Sequence, residues 1–294
     1  MATSRNGHLL RLPFYLLSLT MIAPFYWMVI SVLKPYSELT RQPPSFIPDT
    51  PSLTNFYDPA WTPDQVNPGH QQGLFQRYQV DFGFWRFMLN SVFITTTITV
   101  GSLLIASLAA YVLTKHRIRG RRVLFLMIIA SMMVPWQTTL VPNYVIMRNL
   151  DWLDTYQGYI IPALAKAFVL FFLVQFLHSI PDELIQAARV DGAGEWRIWW
   201  QIVLPLLRPA LAAMSIFIVL WEWNNFLWPL IIVQSDEMAN VPVALARLNS
   251  YFSGAQHQGA IMAGGLLASI PTIVFFLIFQ RYFTRGIVLS GVKG

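Results

Sequence analysis

The segment Ile180–Pro209, IPDELIQAARVDGAGEWRIWWQIVLPLLRP, is the longest polar-bearing stretch between apolar runs in the second half of the chain. Pro181 suits the first turn of a helix, and the carboxylates of Asp182 and Glu183 favour the positive end of the helix dipole. Gly192 then stops that helix, because glycine is the usual residue at the left-handed position after a helix end. The segment therefore predicts a helical hairpin with a short first helix, a tight turn and a second helix.

The faces of the two helices differ in character. Leu184, Ala187 and Ala188 fall on one face of the first helix, and the two alanines leave that face nearly flat, so that another surface can approach closely. The second helix carries an apolar stripe at the spacing i, i+3, i+4 and i+7, formed by Trp196, Trp199, Trp200 and Val203. Pro205 is expected to end this helix. Periodicity alone favours an ordinary interfacial connector between two membrane spans.

Composition places the hairpin in a membrane protein. Hydrophobic residues make up 55% of the 294 residues and charged residues 12%, whereas soluble domains average roughly 45–50% and 25%. The absence of cysteine excludes disulfides, thiolate metal sites and cysteine nucleophiles. The five histidines have no metal-ligand spacing, and no catalytic constellation is present, so we predict neither a metal site nor a catalytic site. The net charge is +6, and the charged residues lie at the ends of apolar runs. This distribution is better explained by membrane topology and by contact with anionic lipid than by nucleic-acid binding.

Six apolar runs approach the roughly 20 residues that a bilayer-spanning helix needs. They are about Leu12–Leu33, Phe87–Thr114, Val123–Met147 with Pro135 inside it, Gly158–Leu177, Ala210–Val233 and Ala260–Gln280. The first run is too long for a signal peptide and no Ala-x-Ala site follows it, so we expect it to be retained. The predicted fold is all-α and polytopic, with six transmembrane helices.

The basic residues predict the orientation of these spans. With the N-terminus in the cytoplasm, thirteen basic residues fall on the cytoplasmic side: Arg5, Arg11, Lys115, Arg117, Arg119, Arg121, Arg122, Arg189, Arg197, Arg208, Arg281, Arg285 and Lys293. Five fall outside: Lys34, Arg41, Arg77, Arg148 and Arg247. Cytoplasmic loops carry the excess of Lys and Arg, so we expect both termini and the hairpin to be cytoplasmic.

At this point the hairpin resembles a specific motif. Gln186-Ala-Ala-x-x-Asp191-Gly192-Ala193, followed by Ile202-x-Leu204-Pro205, is similar to the EAA loop of permease subunits in bacterial ATP-binding cassette (ABC) importers, most closely those for carbohydrates such as maltose and for glycerol phosphate. Further pieces fit in order over residues 85–294: Asn90-Ser91, Arg119-Gly120-Arg121-Arg122, Met133-Val134-Pro135, Leu140-Val141-Pro142, Trp223-Asn224-Asn225-Phe226, Trp228-Pro229 and the terminal Gly291-Val-Lys-Gly294. Gln186 departs from the usual glutamate, which puts a salt bridge from that position in doubt but not the docking role.

The resemblance implies a division of labour among subunits. It implies a heterodimer with a second permease subunit, two cytoplasmic ATPase subunits, an extracytoplasmic solute-binding protein, and a place in the inner membrane of a prokaryote. The chain lacks a Gly-x-x-x-x-Gly-Lys-Ser/Thr phosphate loop, so ATP and Mg²⁺ are expected at the partner ATPase, with no cofactor on this chain and no enzyme activity of its own. The residues implied for ATPase coupling are Glu183, Gln186, Ala187, Ala188, Asp191, Gly192, Ala193, Ile202 and Pro205.

The same resemblance divides the chain into segments. These are the N-terminal tail and first span (1–33), a long extracytoplasmic loop (34–84), the core permease domain with spans two to six (85–285), the cytoplasmic coupling loop inside it (178–209), and the C-terminal tail (286–294). The first loop contains eight prolines and is expected to be irregular and semi-rigid, with an expansion at about 58–81. The third outer loop could hold a short helix around Val241–Tyr251.

Two charged residues lie within apolar runs. Lys166 is about eight residues from the outer end of span four and Glu222 about eleven from that of span five, so their depths differ by only about 4–5 Å. Intramembrane charges usually face a cavity or a partner. A Lys166–Glu222 pair is therefore expected, either as a structural ion pair between packed helices or in contact with substrate.

A cluster of tryptophan and asparagine suits a sugar pathway. Aromatic faces with amide hydrogen bonds bind sugars, and an amide in lipid is costly without a partner. Trp223, Asn224 and Asn225 are thus the main pathway candidates, with Gln137 and Asn143 in span three weaker ones. The alternative for any single tryptophan is packing or the aromatic belt at the membrane surface.

These observations rank the functions that remain open. The first is a permease subunit of a binding-protein-dependent importer for a sugar or oligosaccharide. A glycerol-3-phosphate or phosphodiester importer is the nearest alternative, but a phosphate would want basic residues in the pathway, where only Lys166 is available. An ion-coupled secondary transporter is a more remote alternative, since the sequence has no internal repeats. A membrane enzyme is disfavoured because no set of catalytic residues is present.

Overall fold

A computed structural model of the chain describes residues 5–58, 73–77, 83–251 and 258–291. All regular elements in these ranges are helical. The α-helices in chain order are α1 (Arg5–Val32), α2 (Tyr36–Leu39), α3 (Leu74–Arg77), α4 (Gly83–Lys115), α5 (Arg121–Ser131), α6 (Leu140–Asn149), α7 (Tyr156–Ile160), α8 (Ala167–His178), α9 (Asp182–Val190), α10 (Glu195–Ile198), α11 (Leu204–Leu206), α12 (Arg208–Trp223), α13 (Leu227–Ile232), α14 (Val241–Tyr251) and α15 (Gln258–Gly291). Two 3₁₀ segments (Trp136–Thr139 and Ile161–Ala163) and one π-helical segment (Trp199–Val203) complete the set.

Four helical stretches in the described residues are long and apolar enough to cross a membrane: Pro13–Val32, Gly83–Lys115, Tyr156–His178 and Gln258–Gln280. Two bent pairs raise the number to six if each pair is one span: Arg121–Ser131 with Trp136–Asn149, and Glu195–Leu206 with Arg208–Trp223. The expected all-helical, polytopic architecture is therefore confirmed, with four to six candidate membrane helices.

The third predicted span is broken rather than continuous. α5 ends at Ser131, and the axis turns by 90° before the helical stretch that begins at Trp136. Pro135 at the break has φ −58° and ψ 126°, which is outside the helical region. Proline lacks an amide hydrogen and disfavours helical geometry in the residue before it. The sequence shows a proline inside this run, but it does not predict the sharp bend that the proline produces.

The second helix of the hairpin does not end at Pro205, which contradicts that expectation. The helix continues through the π-helical segment Trp199–Val203 and α11, and the axis bends by 75° at Leu207 before α12. Proline at 205 has no amide hydrogen to donate to the carbonyl four residues earlier, at Gln201. A π turn shifts the bonding pattern to i→i+5, which accommodates the proline, so the break falls two residues later.

Residues 1–86 and 244–270 form one compact unit. The loop predicted at 34–84 is irregular where described, as its prolines predict, apart from the single turns α2 and α3. Side chains hold it together: the Asn55 amide donates to the carbonyls of Val32 (2.8 Å) and Lys34 (2.7 Å), and the Glu38 carboxylate accepts from the Ser45 hydroxyl at 2.6 Å. Most of the expansion predicted at 58–81 lies outside the described residues. The short helix predicted around Val241–Tyr251 is confirmed by α14.

Residues 87–243 and 271–294 form the second compact unit. Both α5 and α12 pack against α8, whose Leu173 and Leu177 are fully buried. Polar groups near the start of α4 tie down the segment that precedes α14. Asn90 donates to the carbonyls of Glu237 (2.8 Å) and Ala239 (3.0 Å), and the Val241 amide donates to the Ser91 hydroxyl at 2.9 Å. The Asn90-Ser91 pair therefore has a structural role.

Candidate functional site

The turn of the hairpin has the backbone that its sequence predicts. α9 runs from Asp182 to Val190, and Gly192 has φ +76°. The amide of Ala193 donates to the carbonyl of Ala188 at 3.0 Å, which closes the helix end. No atom lies within 4 Å of a Cβ built at Gly192, so the constraint on this position is its left-handed backbone and not space. The left-handed position predicted for Gly192 is thus confirmed.

One face of α9 is uncovered. Ile185 is buried on the opposite face, whereas Leu184 is 47% exposed and Val190 87% exposed. The residues predicted for coupling lie as follows: Glu183, Gln186, Ala187, Asp191 and Gly192 are exposed, and Ala188, Ala193, Ile202 and Pro205 are half-buried. The exposed positions of α9 therefore combine apolar side chains, Leu184, Ala187 and Val190, with the polar side chains of Glu183 and Gln186.

The tryptophan stripe of the second helix divides into two halves. Trp199 and Val203 are buried, as neighbours of the spans would be. Trp196 and Trp200 are 69% and 60% exposed. Both exposed rings contact Trp199 edge-on, with centroids 5.7 and 5.6 Å away. The aromatic side chains of this helix thus form one cluster that is anchored at Trp199 and open toward the outside.

Ionic contacts fix the hairpin to the end of α4. The Lys115 ammonium lies 2.5 Å from the Asp182 carboxylate and donates to the Ile180 carbonyl at 2.6 Å. This cation holds the pKa of Asp182 below its usual range. The contact joins residues 67 positions apart, and it holds the first turn of α9 next to the C-terminal end of α4.

A second contact centres on Glu195, just beyond the turn. Its carboxylate accepts from Arg189 Nε at 2.9 Å and from the Tyr111 hydroxyl at 2.5 Å, and His116 Nε2 lies 3.1 Å away. Hydrogen bonding from Arg189 is the largest cause that holds the pKa of Glu195 below its usual range. Sequence reasoning missed this network, because none of its long-range partners shares a helical period with the hairpin.

Inside the membrane-type helices lies a cavity of about 570 Å³. It is lined by Ser131, Met132, Val134, Pro135, Trp136, Thr139, Leu140, Asn143, Pro162, Ala163, Lys166, Ala167, Phe168, Trp221, Glu222, Asn225 and Trp228. One wall is formed by residues at the bend around Pro135. The other walls include Lys166 and Asn225, which lie where helices are interrupted and contribute polar groups. A volume of this size, apolar and aromatic with a few polar groups, is typical of a small-molecule site.

The charged residues predicted within the spans meet at this cavity. Lys166 Nζ lies 2.6 Å from Glu222 Oε1, and the Asn225 amide donates to Glu222 Oε2 at 3.2 Å. The Glu222 side chain is 2% exposed and the Lys166 side chain 20% exposed. Both carboxylate oxygens are therefore occupied by donors from this chain, while the ammonium keeps an open side toward the cavity.

The predicted pathway residues are distributed unevenly around the cavity. Asn143 and Asn225 line it. Trp223 is buried at 5% exposure and Gln137 is exposed, and neither belongs to the lining. Asn224 instead donates to the Leu220 carbonyl at 2.8 Å.

The aromatic lining comes from other tryptophans: Trp136, Trp221 and Trp228. Trp228 is held in place by a hydrogen bond from Nε1 to the Gly158 carbonyl at 3.2 Å. Within residues 5–58, 73–77, 83–251 and 258–291, no group of three or more His, Asp or Glu side chains is placed to hold a metal ion.

Comparisons with known proteins agree with this architecture. Residues 77–289 match the family described as binding-protein-dependent transport system inner membrane component. The chain is 33% identical over 288 residues to the arabinooligosaccharides transport system permease protein AraQ of Halalkalibacterium halodurans, covering 97% of this chain and 96% of that protein. It is 34% identical over 273 residues to the sn-glycerol-3-phosphate transport system permease protein UgpE of Yersinia pestis bv. Antiqua, covering 92% of each.

A solved structure has the same fold. A chain of a bacterial ABC transporter involved in the import of the acidic polysaccharide alginate superposes with a TM-score of 0.78 at 24% sequence identity, covering 96% of this chain and 99% of that one.

Proposed function

This chain belongs to the family of binding-protein-dependent transport system inner membrane components, and on that premise we propose that it forms half of the translocation pathway of an importer for a neutral sugar or oligosaccharide. The other half comes from a second permease subunit. A solute-binding protein delivers the substrate from outside, and two ATPase subunits drive the cycle from the cytoplasm.

The proposed topology has six spans, with each bent helix pair counted as one. The excess of Lys and Arg at one set of helix ends supports cytoplasmic termini. On this topology the hairpin formed by α9 and α10 is cytoplasmic. The cavity that contains Lys166 and Glu222 lies within the bilayer.

The uncovered face of α9 is the observation that carries the coupling proposal. A helix that is fixed at both ends by ion pairs, yet exposes Leu184 and Val190 to solvent, has the form of a ligand for a groove in another protein. ATP binding and Mg²⁺ binding are assigned to the ATPase partner. Closure of the ATPase dimer would move α9, and the contact from Lys115 to Asp182 would transmit that movement to α4.

Charge in the cavity supports a neutral substrate. Among the residues that line the cavity, all of them in the described part of the chain, Lys166 is the one cation and Glu222 the one carboxylate. Their 2.6 Å contact makes the lining neutral overall, with tryptophan faces and amides available to sugar hydroxyls. AraQ, by its name, belongs to an arabinooligosaccharide system. The relationship to UgpE supports glycerol 3-phosphate as the second candidate, but a phosphate would face no uncompensated cation here.

Coupling can be tested in the assembled transporter. The tagged full chain is purified from its native membrane, its partners are identified by mass spectrometry, and the complex is reconstituted with its binding protein. Gly192→Pro is expected to abolish ATPase stimulation by the loaded binding protein, since proline cannot adopt φ +76°. Gly194→Ala is the matched control, because Gly194 has φ −69° and open space around its Cβ.

Three results would refute the coupling proposal. They are normal stimulation in Gly192→Pro, equal loss in the Gly194→Ala control, and purification without any ATPase. Membrane insertion of Gly192→Pro is checked separately, so that a folding failure is not mistaken for uncoupling.

The substrate class is tested with the same reconstituted complex. Neutral oligosaccharides, monosaccharides and glycerol 3-phosphate are compared at equal concentration for uptake. The proposal predicts uptake of a neutral saccharide that glycerol 3-phosphate does not inhibit. Uptake of glycerol 3-phosphate alone would replace the first candidate with the second.

A further inference from the structure

A second large cavity lies outside the membrane-type segments, at the turn between α4 and α5. Its volume is about 740 Å³. Its lining comes from both segments and includes Lys115, Arg117, Arg119, Arg121, Gln186 and Arg189. The α4–α5 turn forms one wall and the hairpin forms the other, so anything bound there touches both. This cavity shares no lining residue with the 570 Å³ cavity, and of the residues predicted for coupling it includes Gln186.

The charges in this cavity do not balance. It contains five Lys or Arg side chains and two carboxylates. Both carboxylates are already engaged: Asp182 by Lys115, and Glu195 by Arg189, Tyr111 and His116. The remaining cations are Arg117, Arg119 and Arg121, whose side chains form no ion pair with any described residue. The cavity is therefore a concave surface with three guanidinium groups that form no ion pair within the described chain. Of the three, Arg121 lies near enough to Asp182 to help to lower the pKa of that carboxylate.

The features around this cavity suit the headgroup of a lipid. The turn joins α4 to α5, and on the proposed topology of six spans, on which this inference rests, it lies at a bilayer surface. Directly after it, the first turns of α5 expose a run of apolar side chains: Val123 (60%), Leu124 (44%), Leu126 (54%) and Met127 (58%). Basic pockets at helix ends bind the headgroups of anionic lipids. A diacyl phospholipid can place its phosphate among the arginines and its acyl chains along α5.

We propose that this cavity binds the headgroup of an anionic phospholipid, with the phosphate held by Arg117, Arg119 and Arg121 and the acyl chains lying on the exposed face of α5. Arg guanidinium groups bind phosphate oxygens in bidentate geometry, which suits the planar forks clustered here. An excess of basic residues set by topology alone needs no cavity, whereas these side chains surround one. The bound lipid would join the α4–α5 turn to the hairpin.

Gln186 sharpens the proposal, because it lines the same cavity from α9. Its amide can donate a hydrogen bond to a phosphate oxygen and carries no charge. A carboxylate at this position would face the bound phosphate and repel it. Gln186→Glu is therefore expected to weaken binding of an anionic headgroup, although the change alters only one functional group.

Lipid binding can be measured on the purified full chain without any partner subunit. The detergent-solubilised chain is delipidated and titrated with phosphatidylglycerol or with phosphatidylcholine of the same acyl chains, and the bound lipid is counted by native mass spectrometry. We expect one phosphatidylglycerol to be retained in preference to phosphatidylcholine. The triple variant Arg117→Gln/Arg119→Gln/Arg121→Gln should lose this preference by roughly tenfold or more, and Gln186→Glu should weaken it less.

Arg122→Gln provides the matched control. Arg122 lies on the same turn and is exposed, but it does not line the cavity. It should leave lipid retention unchanged. Equal loss in Arg122→Gln and in the triple variant would show a general surface-charge effect and would overturn the site. So would equal retention of the two lipids, or a triple variant that binds as the unaltered chain does. Thermal melting of each variant identifies any that fail to fold, and the milder Gln186→Glu then carries the test.

The source of the phosphate is distinguished by competition. Inorganic phosphate is added at millimolar concentration while phosphatidylglycerol is bound. Retention of the lipid supports a site that uses both headgroup and acyl chains. Complete displacement by inorganic phosphate would overturn the lipid proposal in favour of a free anion. A preference that appears only after an ATPase subunit is added would also overturn it, because the occupant would then be an acidic protein segment.

Discussion

The molecule contains two sets of ion pairs that join similar groups in opposite environments. In the membrane-type cavity, Lys166 meets a Glu222 side chain that is 2% exposed. In the hairpin, Lys115, whose side chain is 5% exposed, meets Asp182, and Arg189 meets Glu195. The carboxylate side chains of these two pairs are 67% and 46% exposed. The distances overlap, at 2.6 Å for the first pair and 2.5 and 2.9 Å for the others. The difference lies in what surrounds each carboxylate.

The surroundings decide what each pair can contribute. Removing one partner of a buried pair strands a charge away from water, which is strongly destabilising, whereas replacing both partners is often neutral. Exposed pairs contribute about 0–1 kcal/mol, since water and salt screen them. The buried pair is therefore required for the stability of the local fold. The pairs in the hairpin orient α9 relative to α4 and contribute little to its stability.

The largest expected effect comes from breaking the buried pair. Glu222→Gln leaves the Lys166 ammonium with a neutral partner and should lower the free energy of unfolding by about 3–5 kcal/mol. The measurement is thermal or denaturant unfolding of the purified chain in detergent. Glu183→Gln is the control, because it is the same substitution at an exposed carboxylate and should change stability by less than about 0.5 kcal/mol. Equal effects of the two substitutions would contradict the contrast.

The double variants separate structure from transport. Lys166→Met/Glu222→Leu should recover most of the lost stability, because no charge is then stranded. The exchanged pair Lys166→Glu/Glu222→Lys should recover transport if the two residues serve only each other. Recovery of stability without recovery of uptake would instead show that Lys166 contacts substrate in the cavity. If neither double variant restores stability, the pair is not the unit that matters.

Local signals predicted the hairpin well, and long-range contacts set the rest. The helix start at Pro181 and its end at Gly192 follow from propensities within ten residues, and the structure has both. Nothing comparable indicates that Tyr111 bonds Glu195 from 84 positions away. Such contacts depend on how the helices pack, and an apolar period predicts which face of a helix is packed but not which residue of another helix it meets.

The 570 Å³ cavity shows how the direction of a side chain around a helix axis decides which residue lines it. Trp223, which the sequence predicts as a pathway residue, is buried outside the lining of the 570 Å³ cavity, whereas Trp221 belongs to that lining. Successive residues on a helix point about 100° apart, so two positions decide which tryptophan faces the cavity. Trp136 reaches it only because the chain bends by 90° after Ser131, and the sequence gives no angle for that bend. Lys166 and Glu222 could be paired beforehand because depth depends on residue count alone.

A smaller effect is expected at the hairpin turn. Gly192→Ala forces a Cβ into a left-handed backbone at φ +76°, at a cost of about 1–2 kcal/mol. Because the turn lies at an exposed tip, the cost should appear as faster hydrogen exchange at the end of α9 and not as global unfolding. Gly194→Ala, at φ −69°, should exchange as the unaltered chain does. Identical exchange in the two variants would show that the turn is not under the proposed constraint.

The pairs whose carboxylates are exposed should yield smaller values still, although the Lys115 side chain itself is buried. A double-mutant cycle with Lys115→Met and Asp182→Asn should give a coupling energy of about 0.2–1 kcal/mol, measured by unfolding in low salt. The coupling should shrink in 0.5 M salt, where the Debye length is short. Lys166 and Glu222 should show little salt dependence, since they are buried. A salt-insensitive coupling of several kcal/mol at Lys115 would abolish the distinction between the two environments.

The smallest effect is the response of the hairpin to pH. Arg189 holds the pKa of Glu195 below its usual range, so this carboxylate contributes stability above its unfolded pKa of about 4.3. The contribution is lost only as the pH falls through the lower pKa of the folded state. His116, which lies 3.1 Å from Glu195, is first replaced by asparagine so that Arg189 and Tyr111 are the partners of the carboxylate under test. Hydrogen exchange of the α9 amides, corrected for intrinsic rate, should then be constant from pH 7 to about 5 and should accelerate below about pH 4. Glu195→Gln should reduce this acceleration at the end of α9, while the contribution of Asp182, whose pKa Lys115 also lowers, remains at its start. A loss of protection that begins near neutral pH would assign the hairpin's anchoring to a different group.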